Sequence, residues 1–440
     1  MADMDVNSIE IPPPVLTGEE AESAARRAGT FVIGLTGPFG SGCTTAARLL
    51  ETGDPPFTVI RLSDVLREIG GPELDRGQLQ DLGNRLRRGE GNEALVVRGL
   101  GGLLDAQPAL ERVAIDGLRN LGEIRWLQKA LGDRFSLFAV LAEIPERFDR
   151  QNTDMSPQQF NELDQRDQGE DEDFGQQVNR CVDFADVLIN NGEQLPEWRI
   201  DRDLAAKVRG YADLVQGASP RYPTREEQLM NVAYASSHGS RCLKRQVGCV
   251  IGEGDEPLAS GYNENPDGLR PCIDEFETCF RDIVRHERFV ELSQLGTRCP
   301  FCTHPIPRPL PHPWDCPNCG KSLDAAFFPD RAMKWCTALH AEERALLNAG
   351  ARDLSATTLY STTFPCMLCA EKIIQAGIRD VVFIEAYPDA HGQILFKAAG
   401  VQVRRFEGVR SRNFQQYFGE TQSKMEEQGM ERLRQMAGLA

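Results

Sequence analysis

A histidine, a glutamate and two cysteines constrain this chain more than any other feature. His340-Ala341-Glu342 and, downstream, Pro365-Cys366-Met367-Leu368-Cys369 each open a stretch with helical spacing of apolar residues. One neutral imidazole and two thiolates are zinc donors, and three protein ligands leave the fourth tetrahedral position open to water, the mark of a catalytic ion. Helix starts suit such ligands, because free N–H groups and the macrodipole favour thiolate there. Glu342, two positions beyond the histidine, can stand beside the ion without ligating it. Replacing the exocyclic amine of a pyrimidine by oxygen needs a Lewis acid, an activated water and one group that passes protons to the ring nitrogen and the departing ammonia. These residues offer all three, with Glu342 as acid and base in turn. A satisfied helix histidine beside half of a structural zinc site is the competing reading, and the joint presence of both motifs argues against it.

Four further cysteines form a second pattern. Cys299-Pro300-Phe301-Cys302 and Cys316-Pro317-Asn318-Cys319 are two knuckles separated by thirteen residues, which suits a closed four-thiolate site with structural zinc. His304 and His312 lie within this ribbon and read as bystanders. Cys272, Cys279 and His286 match no known spacing, and Cys336 is expected on the face of a helix (336 to 348) that also carries His340. The chain has 13 cysteines, an odd number, and its amino terminus lacks the basic and apolar regions of a secretory signal. Thiolates on metal in a reducing, cytoplasmic compartment follow more naturally than disulfides. No stretch is long and apolar enough to span a bilayer.

At 440 residues the chain predicts more than one domain. Residues 1–28 hold too few apolar groups to repay ordering and read as a flexible tail. Strands are expected at Phe31 to Leu35, Arg112 to Ile115 and Ser136 to Leu141, alternating with helical stretches, so residues 29–215 read as a parallel α/β domain. Within it Glu162 to Asp173 is a dense acidic run that reads as a solvated, mobile segment. A second α/β domain spans 224–425, starting at the capping pair Thr224 and Glu227. Its strands are expected at Gln246 to Ile251, Pro257 to Tyr262, Thr357 to Ser361 and Asp380 to Ile384, with a helix from Cys366 to Ala376. Residues 272–335 interrupt it as a ribbon insertion, and 426–440 form a terminal helix or tail.

Gly37, Gly40, Ser41, Gly42, Cys43 and Thr44 lie in a glycine-rich loop between a strand and a helix, the setting of a phosphate-binding loop. The lysine expected before the hydroxyl residue is Cys43, which removes the charge that serves phosphoryl transfer. Nucleotide binding survives that change better than transfer does. Asp116, ending an apolar strand, is placed for the acidic role beside Mg2+, and Arg119 offers some of the missing charge. A glycine turn kept for packing is the bland alternative.

The zinc motifs resemble the cytidine deaminase superfamily and, within it, the deoxycytidylate deaminases. Gln246-Val247-Gly248, Gly261-Tyr262-Asn263-Glu264-Asn265-Pro266 and Tyr387-Pro388 extend the resemblance over about residues 224–420. It implies that Asn263 helps to hold the nucleotide and that Tyr387 lies near base and sugar; a turn asparagine and a half-buried tyrosine are the bland readings. The amino-terminal half resembles nucleoside-monophosphate and dephospho-coenzyme A kinases, through the glycine loop, Ile115 to Asn120 and two candidate lid arginines, Arg147 and Arg150. The fusion as a whole resembles the bacterial anti-phage deoxycytidine nucleotide deaminases. That resemblance implies dCTP as well as dCMP as substrate, depletion of the dCTP pool, homo-oligomers, and restraint by a regulatory nucleotide or another regulator. Two other classes remain open: a nucleotide kinase with a regulatory deaminase-like domain, and a nucleic-acid cytosine or adenosine deaminase using the ribbon as a clamp. A net charge of −17 opposes the last, because such a surface repels a polyanion.

Overall fold

The computed structural model describes residues 6–150, 155–168, 173–192, 204–284, 298–299, 302–305, 316–321, 336–385, 390–410 and 413–436. The chain divides into two compact units, residues 1–228 with 405–440, and residues 229–404. The last stretch of chain therefore returns to the first unit, whereas the sequence reading carried the second domain to 425. Among the described residues no helix is long and apolar enough to cross a membrane.

The first unit is built on β1 (Phe31–Thr36), β2 (Thr58–Arg61), β3 (Arg112–Asp116), β4 (Phe135–Leu141), β5 (Val187–Asn190) and β11 (Gly408–Val409), in the order β11-β5-β4-β1-β3-β2. β1 pairs in parallel with β3 and β4, and only β11 runs antiparallel, on β5. Every residue of β4 and five of six in β1 are buried. That is why these strands read as continuous apolar runs rather than alternating ones: both faces of a parallel sheet are covered by helices. Ile33, Leu35, Phe138 and Val140 form the core with Ala46, Ala47 and Leu50 of the Cys43–Glu51 helix.

Two expectations fail here. The amino-terminal segment is not a loose tail throughout: Thr17 caps a Gly18–Ala28 helix, with Glu20 closing the capping box. Ala21 and Ala25 are fully buried, and the helix packs on those at Ala94–Ala106 and Leu121–Leu131. Arg85 and Arg98 donate to the carbonyls of Val6, Ile9 and Pro12, so the proline run is held by its backbone. The acidic run is not simply solvated either. Pro157–Gln168 is a helix in which Asp164 and Asp167 are buried. Asp164 takes a two-pronged ion pair from Arg147, so this candidate lid arginine is committed.

The second unit holds β6 (Gly248–Glu253), β7 (Glu256–Tyr262), β8 (Thr358–Thr363), β9 (Asp380–Glu385) and β10 (Gln402–Arg405), in the order β10-β9-β8-β6-β7. β6 is antiparallel to β7 and β8, and β8 is parallel to β9. Two glycines set how closely helices lie on this sheet. A Cβ on Gly248 would stand 1.8 Å from the carbonyl oxygen of Ala233, and one on Gly261 would stand 2.4 Å from the oxygen of Ala341 and the nitrogen of Ala345. Gly261 thus lets the Ala341–Ala349 helix rest directly on β7, next to His340.

Candidate active site

His340 is the N-cap of the Ala341–Ala349 helix, in extended backbone, and its N–H donates to Glu343 at 2.8 Å. The helix is shorter than expected: Cys336 precedes it rather than sharing a face with His340. Cys366 is likewise the N-cap of the Met367–Gln375 helix, which puts Cys369 in its first turn. Two helix starts are thereby brought together. His340 Nδ1 lies 3.2 Å from Cys369 Sγ and 3.4 Å from Cys366 Sγ. These separations approach the roughly 3.5 Å edge of a tetrahedron with zinc about 2.0 Å from nitrogen and 2.3 Å from sulfur. The three donors lie within 4.8 Å of one another. The residues present therefore fit a zinc ion by donor type and spacing.

The surroundings are arranged for such a load. Hydrogen bonding from Cys369 holds the Cys366 thiol down to about 4, leaving it a thiolate at neutral pH. Glu342 is buried, and burial pushes its carboxyl above the usual range against the pull of His340. Its two oxygens meet Ser361 Oγ at 3.3 Å and Cys369 Sγ at 3.5 Å. A buried acid that holds a proton more readily than an exposed one, placed against the ligand cluster, is suited to moving protons both ways.

The approach to His340 is held by contacts that the sequence did not reveal. Glu264 and Leu339 exchange both backbone hydrogen bonds, at 3.2 and 3.0 Å, forming an isolated antiparallel bridge. Thr337 donates to Asn265 at 2.8 Å, and Arg344 donates to the Asn265 carbonyl at 3.0 Å while lying over the Tyr262 ring. Gly261 to Asn265 is thus the surface that carries His340 to its place. Asn263 accepts from Val247 N–H at 2.7 Å and donates to the Arg245 carbonyl at 2.9 Å, so its amide ties the loop to the start of β6. Tyr387 lies outside the described residues.

Residues 223–385 match the family described as the cytidine and deoxycytidylate deaminase zinc-binding region. The chain is 29% identical to the deoxycytidylate deaminase of Schizosaccharomyces pombe over 85% of its own length and 97% of that protein's. It is 32% identical to the deoxycytidylate deaminase of Saccharomyces cerevisiae over 42% of its length and 45% of that protein's. The chain carries a deoxycytidylate deaminase domain. It is a zinc-dependent hydrolase, as a domain of this kind implies. The crystal structure of the dCMP deaminase from cyanophage S-TIM5, in complex with dCMP and dUMP, is 20% identical, with a TM-score of 0.27 over 42% of this chain and 99% of that one.

The deaminase domain also contains the ribbon cysteines. Cys299 Sγ lies 3.8 Å from Cys319 Sγ and Cys302 Sγ 3.5 Å from Cys316 Sγ, and all four lie within 4.8 Å. Both knuckles fold alike: the N–H of Thr303 reaches the Cys299 carbonyl, and that of Gly320 reaches the Cys316 carbonyl, each at 2.8 Å. Both turning residues have positive φ, 62° at Thr303 and 65° at Gly320. This is a donor set closed on all sides, and it fits a second, structural zinc. His304 contributes its backbone carbonyl, to Cys299 N–H, and His312 and His286 lie outside the described residues. Cys272 Sγ lies 3.7 Å from Thr337 Oγ1, packed behind the approach to His340.

In the amino-terminal unit Gly40 and Gly42 have φ of 79° and 109°, values that glycine tolerates. Gly42 is the N-cap of the Cys43–Glu51 helix and leaves it without a side-chain cap. Thr44 Oγ1 donates to Asp116 at 2.9 Å, and burial pushes the Asp116 carboxyl up. The Cys43 thiol is pushed up to about 12, first by burial and then by Asp116, so it is a neutral group.

Proposed function

We propose that this enzyme deaminates free deoxycytidine nucleotides, dCMP and dCTP, to the corresponding deoxyuridine nucleotides and ammonia. The observation that carries the reading is the convergence of His340, Cys366 and Cys369 around one point with the buried Glu342 beside it. The near full-length similarity to a deoxycytidylate deaminase supports a deoxycytidine nucleotide as substrate. A zinc ion held by those three residues would supply the Lewis acidity that makes water a nucleophile near neutral pH. Glu342 takes a proton from the water and gives it to ring N3 as C4 is attacked, then takes the proton of the new C4 hydroxyl and gives it to the amine as the C4–N bond breaks. Ser361, hydrogen-bonded to Glu342, keeps the carboxyl aimed. Asn263 and Gly261 act by placing the loop that leads to His340. The four ribbon cysteines hold a structural zinc.

In the amino-terminal unit, Gly37, Gly40, Ser41, Gly42, Cys43, Thr44, Asp116 and Arg119 form a degenerate phosphate-binding loop that takes a regulatory nucleotide. In a phage-infected cell the activity would lower the dCTP pool, as a defence restrained until infection. The test is ammonia release by purified, zinc-loaded protein from each canonical deoxynucleotide and from the cytidine series at each phosphorylation level. Release from dCMP or dCTP alone supports the reading. Absence of release from both, with zinc bound, would end it.

A further inference from the structure

The glycine-rich loop walls a cavity of about 290 Å3 whose lining includes Thr44, Asp116 and three guanidinium groups, those of Arg76, Arg119 and Arg150. A neighbouring cavity of about 230 Å3 shares Thr44, Arg76, Asp116 and Arg119 with it, and adds the apolar side chains of Leu62, Leu66 and Leu95 beside the polar ones of Arg67, Gln80 and Arg87. The first is lined for a phosphate, and the second offers leucines for the face of a base or sugar together with polar groups for its edge, as small-ligand sites do.

Since Cys43 is neutral, positive charge must come from outside the loop. Arg119 and Arg76 supply it, and both are turned onto one carboxylate. Arg119 Nη1 lies 2.6 Å from Asp167 Oδ2, and Arg76 pairs with the same oxygen. Gln80 donates to the other oxygen at 2.6 Å. Asp167 is wholly buried, on the Pro157–Gln168 helix. Arg76 is nevertheless incompletely used: its Nε is buried and has no hydrogen-bond partner, while its guanidinium lies 3.8 Å from the Phe39 ring centroid in the loop itself. An N–H with no acceptor, at the edge of a cavity walled by an uncapped helix start, is a donor set for an oxyanion.

We propose that the amino-terminal unit binds a nucleoside phosphate without transferring phosphate, and that Asp167 is the exchangeable counter-ion which the phosphate displaces from Arg76 and Arg119. The proposal rests on the phosphate-loop reading above and adds how the charges of that site are paired. Two anions cannot share one pair of guanidinium groups in a buried site, because their repulsion is poorly screened there. A phosphate makes two-pronged contacts with arginine and also takes the N–H groups of the helix start, which Asp167 does not reach. Once displaced, Asp167 has no buried partner but Gln80, so its helix must shift to return the carboxylate to water. That helix also lies on the loop through Phe160, stacked on Phe39 at 5.4 Å. Occupancy of the site is thereby converted into movement of residues 157–168. The step is an exchange of ion pairs, and no bond is made or broken.

The test uses the full-length, zinc-loaded protein, with inorganic pyrophosphate, ATP and GTP as probes, so that neither a cytidine substrate nor a uridine product enters the deaminase site. Calorimetry should find at least one nucleotide bound more tightly than pyrophosphate, and none hydrolysed. Arg119→Gln should weaken that binding tenfold or more, and Asp167→Asn should strengthen it severalfold, because the arginines then carry no competing anion. Hydrogen exchange of the wild-type protein should speed up over 157–168 on saturation, which keeps the proposal testable if a variant misfolds. Binding that Asp167→Asn leaves equal or weaker, or exchange over 157–168 that stays unchanged or slows, overturns the counter-ion role and leaves the phosphate loop standing. Pyrophosphate bound as tightly as every nucleotide overturns the nucleoside half. No binding of any probe to wild type ends the phosphate-loop reading and this proposal with it.

Discussion

Glu342 serves the proposed reaction only if its carboxyl can both accept and return a proton, and burial that raises its pKa brings it toward that condition. Glutamine keeps the size and an oxygen for Ser361 but carries no exchangeable acid. Glu342→Gln should therefore lower kcat by about 100- to 10,000-fold, the usual worth of a general acid–base group. Elemental analysis should find its zinc content unchanged, since the three donors are other residues. A variant that lost its zinc along with its activity would make Glu342 a support for the metal site rather than a proton carrier. Gly261 is the second residue whose chemistry is exposed to test. With Ala341 and Ala345 backbone atoms 2.4 Å from an added Cβ, Gly261→Ala must push the His340-bearing helix off β7. Overpacking of this kind costs about 1–3 kcal/mol. Urea denaturation should show that loss, and zinc should dissociate faster, because the first residue moved is the one that follows His340.

At the scale of elements, the Pro157–Gln168 helix is held by charge rather than by an apolar stripe. Burial alone would raise the Asp167 carboxyl, but Arg119 and Arg76 outweigh it and hold the carboxyl below its ordinary value. A carboxylate with a depressed folded pKa adds stability at all pH above its unfolded value, and loses it as pH falls through the folded one. Opening of this helix should thus be indifferent to pH from neutrality down to about 4, and accelerate below that. Hydrogen exchange over 157–168 checks this; acceleration that began above pH 5 would show that the arginines do not hold the carboxylate. The same helix explains where sequence reading stops. β1 and β4 were legible because both faces are buried and their apolar runs are unbroken. Asp164 and Asp167 were not, because their partners Arg147, Arg119 and Arg76 stand far off in sequence and a local count sees only an acidic run. The Gly18–Ala28 helix was missed for a related reason: its buried side is two alanines, too small to register as apolar, although Thr17 and Glu20 spell its cap. In the active site the ligands were legible as motifs, whereas Ser361, the Glu264 to Leu339 bridge and the Gly261 contact arise only when strands and loops distant in sequence meet.

For the whole molecule, six of the 13 cysteines divide between two kinds of site with different consequences. Cys366 and Cys369 join His340 in a set of three donors, and Cys299, Cys302, Cys316 and Cys319 close a set of four. The open set leaves room for chemistry, and the closed one replaces the core that so short a segment lacks. Purified protein should accordingly bind two zinc ions per chain. Cys366→Ser should reduce the count to one and abolish ammonia release, while leaving the knuckles resistant to protease. Cys316→Ser should also reduce the count to one, but by exposing residues 298–321 to cleavage, with the remaining ion still held by His340, Cys366 and Cys369. The two variants separate the sites because each loses a different ion and fails in a different assay. If either substitution removed both ions, the clusters would not be independent, and the division of labour between catalytic and structural zinc would have to be given up.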